Sequence, residues 1–397
     1  MFRPSAAAVI RGEPAAQGSS KPIEVKRRPL PTTTSVEYTI PTDPYLLAEK
    51  FRQVARSGKL DDAVAIVMQS KTRHQSAVVW NLVIGEYAKT GRLRCALRAH
   101  TEMRKRGFRP TATTFTALLR ACALSESDNR ARIAEQLFAS MADHGVRPTI
   151  VSHNALLSVY QRQHDVDALL ARFNALPADG PAAPSLETYT VVMDACRREL
   201  QRQIEALAAL GPSQARSFGD ARRAALVAGN VRAAFDALLG TWSAYVEDAE
   251  RRLKSPRSDT QPLGIDARAV RVVLKACHSA YGVNRALGRR GLAVAEQVYG
   301  FDRGAGARAA DAPLAARLHS TTTSSSSPGS DAEPAAPVVD EAVVDLVFGL
   351  CRRDKQHTKA ARFWRSLETH FAGELGPLRT RFAEQLKEIA PPVIPAP

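Results

Sequence analysis

Residues Ala77 to Thr111 read AVVWNLVIGEYAKTGRLRCALRAHTEMRKRGFRPT, and this stretch decides the fold. The next two segments, Ala112 to Thr149 and Ile150 to Ser185, are 38 and 36 residues long against its own 35 and follow the same pattern. Each segment opens with an apolar block, turns at a polar site and continues with a second amphipathic block. Self-similarity at this period predicts stacked helix-turn-helix units.

Apolar residues of the first segment recur at helical spacing and place one stripe on each predicted helix. Gly91 is suited to ending the first helix, and Pro110 ends the connection after the second because proline cannot continue a helical hydrogen-bond ladder. Neither helix can bury its stripe alone, so stacking of successive repeats is needed. The two stripes comprise Leu82, Ile84 and Tyr87, then Leu93, Ala96, Leu97 and Met103.

Weaker copies of the pattern extend the array in both directions. They predict repeats over 44–302, interrupted by a helical insertion near 200–228, and a further repeat over 338–376. A capping helix and tail are expected at 377–397, where Leu378, Phe382 and Leu386 recur at helical spacing.

Two segments have the composition of disordered chain. Residues 303–337 form a low-complexity insert rich in Ala, Ser and Thr, which is too polar to bury a core. Residues 1–43 are rich in Ala, Ser and basic residues, which predicts a mitochondrial presequence and disordered tail. A plain disordered tail is the alternative reading of 1–43.

The charge balance suggests a polyanionic partner. Lys and Arg number 55 against 40 Asp and Glu, which gives a formal charge of +15 and a pI near 9.9. Compositional bias of a GC-rich genome is the competing explanation. The excess lies mainly in the repeats, because 1–43, 303–337 and 377–397 are nearly balanced. No apolar run is long enough to predict a membrane span.

The sequence offers no set of residues for catalysis or metal binding. Four of the five cysteines, Cys122, Cys196, Cys277 and Cys351, fall at one repeat position and are expected to pack in the core. There is no Cys-x-x-Cys or His-Glu-x-x-His motif. We therefore expect no catalytic residue, no metal and no cofactor.

The segment VVWNLVIGEYAKTGRLRCALRAHTEMRKRGFRP resembles the pentatricopeptide repeat family almost throughout. The resemblance covers roughly 44–302 and 338–371, and the chain is similar to mitochondrial, fungal-like members. It implies an all-α fold, a right-handed α-solenoid of helix-turn-helix repeats. The tetratricopeptide family has a similar period, but its pattern of Trp, Gly, Tyr and Pro positions is not found here.

The resemblance also implies an RNA-binding site with one base read per repeat. A polar residue early in the first helix acts with the last residue before the next repeat, while Val78 and Val151 would form apolar walls between bases. Glu187 occupies the same wall position and departs from the family pattern. The implied base-reading pairs are Asn81 with Thr111, Thr116 with Thr149, Asn154 with Ser185, and Thr190 with Asp266.

In the family, Asn at the first of these positions accompanies pyrimidines and Thr accompanies purines. The resemblance therefore implies a pyrimidine–purine–pyrimidine–purine preference, with the RNA 5′ end at the N-terminal repeats. The alternative is that these polar residues only satisfy backbone donors at helix N-termini.

The resulting hypothesis is a monomeric, non-catalytic factor of the mitochondrial matrix that binds single-stranded mitochondrial RNA. Its role would be 5′-end processing of small-subunit ribosomal RNA and ribosome maturation, or messenger RNA stability and translation. The alternative is a protein-interaction scaffold or a structural component of the mitochondrial ribosome, with the small ribosomal subunit as partner. Fold alone does not separate these functions.

Overall fold

The computed structural model describes residues 30–35, 37–210, 218–255, 263–301, 313–323, 339–373 and 375–389. All regular elements within these ranges are helical. The predicted fold class, an all-α solenoid of helix-turn-helix repeats, is thereby confirmed. Residues 1–29, which hold most of the predicted presequence, lie outside the described residues. Among the helices described, none is both long and apolar enough to cross a membrane.

The helices pair along the chain into repeats, each with a first helix and a second helix. The first helices span Pro44–Arg56, Ala77–Lys89, Ala112–Leu124, Ile150–Gln163, Leu186–Ala209, Ala267–Tyr281 and Glu341–Arg353. The second helices span Leu60–Gln69, Leu93–Lys105, Arg130–Asp143, Val166–Asn174, Phe218–Lys254, Arg285–Tyr299 and His357–His370. Two further α-helices lie outside these pairs, at Leu314–Thr323 and Gly376–Ile389, and a 3-10 helix spans Thr72–His74.

Every first helix packs against its own second helix and against the first helix of the next repeat. In the repeat that begins at Ala77, Ile84 and Tyr87 are buried on the first helix, and Ala96 and Met103 are buried on the second. The apolar stripes thus form one core that continues through the stack. Burial of such stripes between repeats is what stabilises a solenoid, since each repeat contacts only its neighbours.

The four cysteines at the common repeat position lie in this core. Cys122, Cys196, Cys277 and Cys351 are buried and free. Burial raises the pKa of each of these thiols to about 12. They remain protonated at neutral pH and act as small apolar packing groups.

The repeat that begins at Leu186 has much longer helices than the repeats before it. Its first helix is 24 residues long and its second 37, against 13 to 14 in the first helices before it. The predicted insertion near 200–228 is therefore built by lengthening both helices of one repeat, and residues 211–217 lie outside the described residues. Buried Leu200 on one helix and Val231 with Phe235 on the other continue the apolar stripes into the extension.

Part of the predicted disordered insert is helical. Leu314–Thr323 packs on helices Phe218–Lys254 and Arg285–Tyr299, with Leu314 and Leu318 buried. Arg317 adds an ion pair with Glu250 at 3.2 Å. The composition of the whole insert concealed this short apolar block, which covers a surface left by the long helix. The rest of 303–337 falls outside the described ranges.

The turn between the two helices of a repeat provides a stability test. Gly58 and Gly91 occupy this turn in successive repeats, and both have a positive φ, +82° and +67°. An alanine Cβ at Gly91 would also lie 2.9 Å from the carbonyl oxygen of Leu124 in the next repeat, whereas nothing lies within 4 Å at Gly58.

We expect Gly58→Ala to lower the free energy of unfolding by about 1 kcal/mol through backbone strain. Gly91→Ala should lower it by roughly 2–3 kcal/mol, because a contact between repeats must also give way. Urea unfolding of the two variants measures this difference. Equal losses would show that the repeats do not meet at Gly91 as described.

Candidate nucleic-acid interface

The last residue of each repeat is the N-cap of the next first helix. The Thr111 hydroxyl accepts the N–H of Thr114 at 3.5 Å, and the Ser185 hydroxyl accepts the N–H of Thr188 at 3.3 Å. In return, the hydroxyls of Thr114 and Thr188 accept the N–H of Thr111 and Ser185 at 2.9 and 3.0 Å. Both junctions are capping boxes, so Thr111 and Ser185 satisfy backbone donors at the N-termini of these helices.

Asn81 lies in the preceding first helix and bonds across the repeat boundary to this capping box. Its Oδ1 accepts a hydrogen bond from the Thr114 hydroxyl at 2.6 Å, and its Nδ2 donates to the Thr111 hydroxyl at 3.3 Å. The side chain is half-buried. The structure thus brings the predicted pair Asn81 and Thr111 together, and Asn81 does not cap a helix.

Asn154 repeats the arrangement two boundaries later but is more enclosed. Its Oδ1 accepts from the Thr188 hydroxyl at 2.7 Å, and its Nδ2 lies 3.4 Å from the Ser185 hydroxyl. The same Nδ2 is also 3.4 Å from a carboxylate oxygen of Glu187. Only 4% of Asn154 is exposed. The predicted pair Asn154 and Ser185 is brought together, with the Glu187 carboxylate beside it.

The two threonine pairs are arranged differently. The Thr116 hydroxyl lies 3.2 Å from the hydroxyl of Ser152, the third residue of the next repeat, and Thr116 is 8% exposed. Thr149 caps its helix without a side-chain hydrogen bond. In the described part of the chain no hydrogen bond joins Thr116 to Thr149, because Ser152 takes the place nearest to Thr116.

The pair of Thr190 and Asp266 is not joined by a hydrogen bond within the described ranges either. The Thr190 hydroxyl donates to the Leu186 carbonyl at 2.8 Å, one turn back in its own helix. The Asp266 carboxylate accepts the N–H of Ala269 at 2.9 Å and pairs with Arg268 at 3.0 Å. Ala269 stands where the other junctions have a threonine or serine, so no hydroxyl links the repeats here.

Sequence reasoning missed one pair of the same kind. Arg271 occupies the first-helix position of the next repeat, and its guanidinium lies 3.0 Å from the carboxylate of Asp340, the N-cap of Glu341–Arg353. The two positions that are predicted to read a base are therefore in contact here as well, but they satisfy each other with an ion pair. An acidic residue just before the start of a first helix was the available signal.

The predicted apolar walls are exposed. Val78 is 56% exposed and Val151 45%, although both are large apolar side chains. They occupy the second position of their first helices, close in sequence to Asn81 and Asn154. Single exposed valines are common on protein surfaces, but their recurrence at one repeat position favours a shared purpose.

The basic residues of the first segment fall into two groups. Lys89 pairs with Glu86 at 2.7 Å, and Arg106 pairs with Glu102 at 3.0 Å. Arg104, Lys105 and Arg109 are exposed and better placed to attract phosphates. Across the described ranges, no group of three or more His, Cys, Asp or Glu side chains could hold a metal ion.

Glu187 provides a test of the interface. It stands at the wall position held by Val78 and Val151, and its carboxylate lies against the Asn154 amide. Glu187→Val should raise affinity for single-stranded RNA about threefold at low salt, because one negative charge is removed from the expected RNA path. Val151→Glu, the matched reverse change, should lower it by a similar factor. Fluorescence anisotropy with a labelled RNA measures both, and a gain in both variants would contradict the assignment.

Sequence comparisons show which known proteins this chain resembles. Residues 75–124 match the PPR repeat family, and residues 100–163 match the pentatricopeptide repeat domain. Two similar proteins are from Arabidopsis thaliana. Pentatricopeptide repeat-containing protein At5g66520 is 28% identical over 144 residues, which is 36% of this chain and 22% of the relative. The chloroplastic protein At3g63370 is 31% identical over 127 residues, 32% of this chain and 13% of the relative.

The matched segments span about a fifth or less of these relatives' own length. A third relative, At1g62260 of Arabidopsis thaliana, is called mitochondrial and is 24% identical over 143 residues, 36% of this chain and 21% of the relative. Among solved structures, the protein PPR10 in complex with an 18-nt psaJ RNA element is 17% identical. That match covers 82% of this chain and 49% of PPR10, with a TM-score of 0.34.

Proposed function

We propose that this chain, which belongs to the pentatricopeptide repeat family through residues 75–163, is a sequence-selective binder of single-stranded RNA. Family modules of this kind read one base per repeat through a few side chains. The interface holds hydrogen-bonding groups and apolar walls, which suit binding. We propose a non-catalytic role for the protein on that basis.

One observation carries the proposal. At the boundaries after Thr111 and Ser185, an asparagine from one repeat meets the N-cap hydroxyl of the next, at 3.3 and 3.4 Å. Exposed Val78 and Val151 stand at the second position of the same two repeats. An amide beside an apolar wall, recurring along a stack, suits unstacked bases that need both an apolar face and a hydrogen-bond partner.

The junctions also limit the length of the reading site. Asn81, Thr116 and Asn154 contact the following repeat, whereas Thr190 bonds within its own helix. We therefore assign base reading to the three repeats over 77–185, with a pyrimidine–purine–pyrimidine preference. The later repeats, which begin at Leu186, Ala267 and Glu341, serve as frame or partner surface.

The biological role proposed is in organellar RNA maturation. The protein would act as a monomer in the mitochondrial matrix, on the 5′ end of small-subunit ribosomal RNA during ribosome maturation. Stability or translation of a mitochondrial messenger RNA is the second role that the same interface could serve. The names of relatives as mitochondrial or chloroplastic support an organellar location.

The experiment is an RNA-binding measurement with the full chain at several salt concentrations. Single-stranded RNA of the preferred pattern should bind more tightly than RNA with purines and pyrimidines exchanged, and affinity should fall steeply with salt. Crosslinking of the tagged protein in mitochondria would then identify the bound transcript. Equal affinity for both RNAs, or none, would instead favour a protein-interaction scaffold.

A further inference from the structure

Each of the two asparagines at the interface meets a hydroxyl that also accepts a backbone N–H. The Thr114 hydroxyl oxygen accepts the N–H of Thr111 at 2.9 Å, and the Thr111 hydroxyl lies 3.2 Å from it. The Thr114 hydroxyl donates to the Oδ1 of Asn81, 2.6 Å away across the repeat boundary. The Nδ2 of Asn81 then faces the Thr111 hydroxyl at 3.3 Å.

The second junction has the same arrangement. The Thr188 hydroxyl oxygen accepts the N–H of Ser185 at 3.0 Å, and it donates to the Asn154 amide oxygen at 2.7 Å. Thr114 and Thr188 are both fully buried, so water does not compete for these hydrogen bonds. The Glu187 carboxylate, 3.4 Å from the Asn154 Nδ2, favours the same orientation because a carboxylate can only accept.

We propose that Thr114 is a positioning residue that holds the Asn81 amide with one N–H toward the RNA base, and that Thr188 fixes the Asn154 amide in the same orientation. This inference rests on the proposed function and adds to it a physical origin for base preference. The amide nitrogen has two hydrogens, and at Asn81 one of them is directed to the Thr111 hydroxyl at 3.3 Å. The other is the group presented to a ligand.

An N–H fixed in this way distinguishes classes of base. Uracil and cytosine both carry the O2 carbonyl on the edge that faces a partner. At the corresponding place adenine has a carbon–hydrogen group and guanine an amino donor, and neither can accept. A donor held at that point favours pyrimidines, whereas an amide free to turn over could present its oxygen instead and lose the preference.

The junction between these two serves as an internal comparison. There the Thr116 hydroxyl faces the Ser152 hydroxyl at 3.2 Å, and either oxygen can be the donor. Thr149 adds no side-chain hydrogen bond at this cap. A hydroxyl can turn to donate or accept whichever partner it has, so Ser152 sets no hydrogen-bond direction for Thr116.

The test measures the affinity of the full chain for short single-stranded RNAs that differ only in the base opposite Asn81. Wild-type protein should prefer uracil or cytosine over adenine or guanine by about fivefold, the effect of one net hydrogen bond. Thr114→Val, which keeps the shape and removes the hydroxyl, should bring this ratio close to one. Thr114→Ser should retain it, and Asn129→Ala, at an exposed position outside the interface, should leave it unchanged.

Loss of the capping box will also destabilise Thr114→Val, so the ratio is compared at a temperature where all variants are folded by circular dichroism. A ratio unchanged in folded Thr114→Val would overturn the assignment of Thr114, as would a wild-type protein that binds RNA without pyrimidine preference. If wild-type protein binds no RNA, the proposed function fails first and this inference fails with it.

Discussion

Replacing Asn81 and Asn154 together by alanine is expected to weaken binding of a matched single-stranded RNA roughly 30-fold. Each asparagine supplies one net hydrogen bond worth about 1 kcal/mol, and the two sites are in different repeats and should act additively. The apolar walls and the exposed basic residues remain, so residual binding should be weakly selective. Anisotropy titrations at fixed salt measure the change.

The matched control is Asn129→Ala. Asn129 is exposed at the start of the second helix Arg130–Asp143 and makes no side-chain capping bond. Its loss should leave RNA affinity unchanged. Because Asn81 and Asn154 also bond to the next repeat, thermal unfolding of the double variant must show that it is folded when affinity is measured. Equal affinity of double variant and wild type would show that these asparagines do not face RNA.

Asp354→Ala is expected to have the largest effect on stability, a loss of about 3 kcal/mol in the free energy of unfolding, because several hydrogen bonds to a buried carboxylate are lost. The Asp354 side chain is fully buried and pairs with Arg285 at 3.0 Å and with Arg289 at 2.8 Å. Tyr281 and Gln356 also donate to it. This carboxylate connects the repeat that begins at Ala267 to the one that begins at Glu341. Urea unfolding gives the loss directly.

The pH dependence of this contribution follows from its direction. Burial alone would raise the pKa of Asp354, but hydrogen bonds from Arg289 and Arg285 outweigh it and hold the pKa below 3.8. Because the pKa of Asp354 is lowered in the folded state, its contribution to the free energy of unfolding is present at neutral pH. This contribution is lost as the pH falls through the folded-state pKa. The difference between wild type and Asp354→Ala should therefore shrink in acid.

An exposed ion pair that involves the same helix, Arg285–Tyr299, is the control. Arg290 and Asp236 lie 3.1 Å apart, and each side chain is 53% exposed. Asp236→Ala should cost less than about 1 kcal/mol because water screens the pair. Folded Asp354→Ala should bind RNA as wild type does, since the repeats after Ser185 are assigned a framing role. Similar losses in both variants would mean that Asp354 is not buried as described.

The repeats from Ala77 to Ser185 could be predicted closely from sequence. Their apolar spacing is regular, and a small turn residue such as Gly91 marks the end of the first helix. The lengths of helices Leu186–Ala209 and Phe218–Lys254 could not be predicted, because the sequence of a continuous helix contains no residue that marks its end and its composition does not indicate its length. Leu314–Thr323 was missed since a short apolar block becomes stable only against a surface that distant residues supply.

The candidate site was predictable in position but not in connectivity. Matching repeat positions identified Asn81 and Asn154 with their last-position partners, which the structure brings together. The same matching could not show that Thr114 and Thr188 complete each junction, because their role depends on hydrogen bonds between repeats. Nor could it show that Thr190 bonds within its own helix.

Selection from a pool of randomised single-stranded RNA with the full chain tests the central claim most directly. The enriched sequences should share a pyrimidine–purine–pyrimidine motif, and the Asn81→Ala variant should lose the first pyrimidine while keeping the rest. Enrichment of no motif, or of one that Asn81→Ala and Asn154→Ala leave unchanged, would contradict base reading by these repeats.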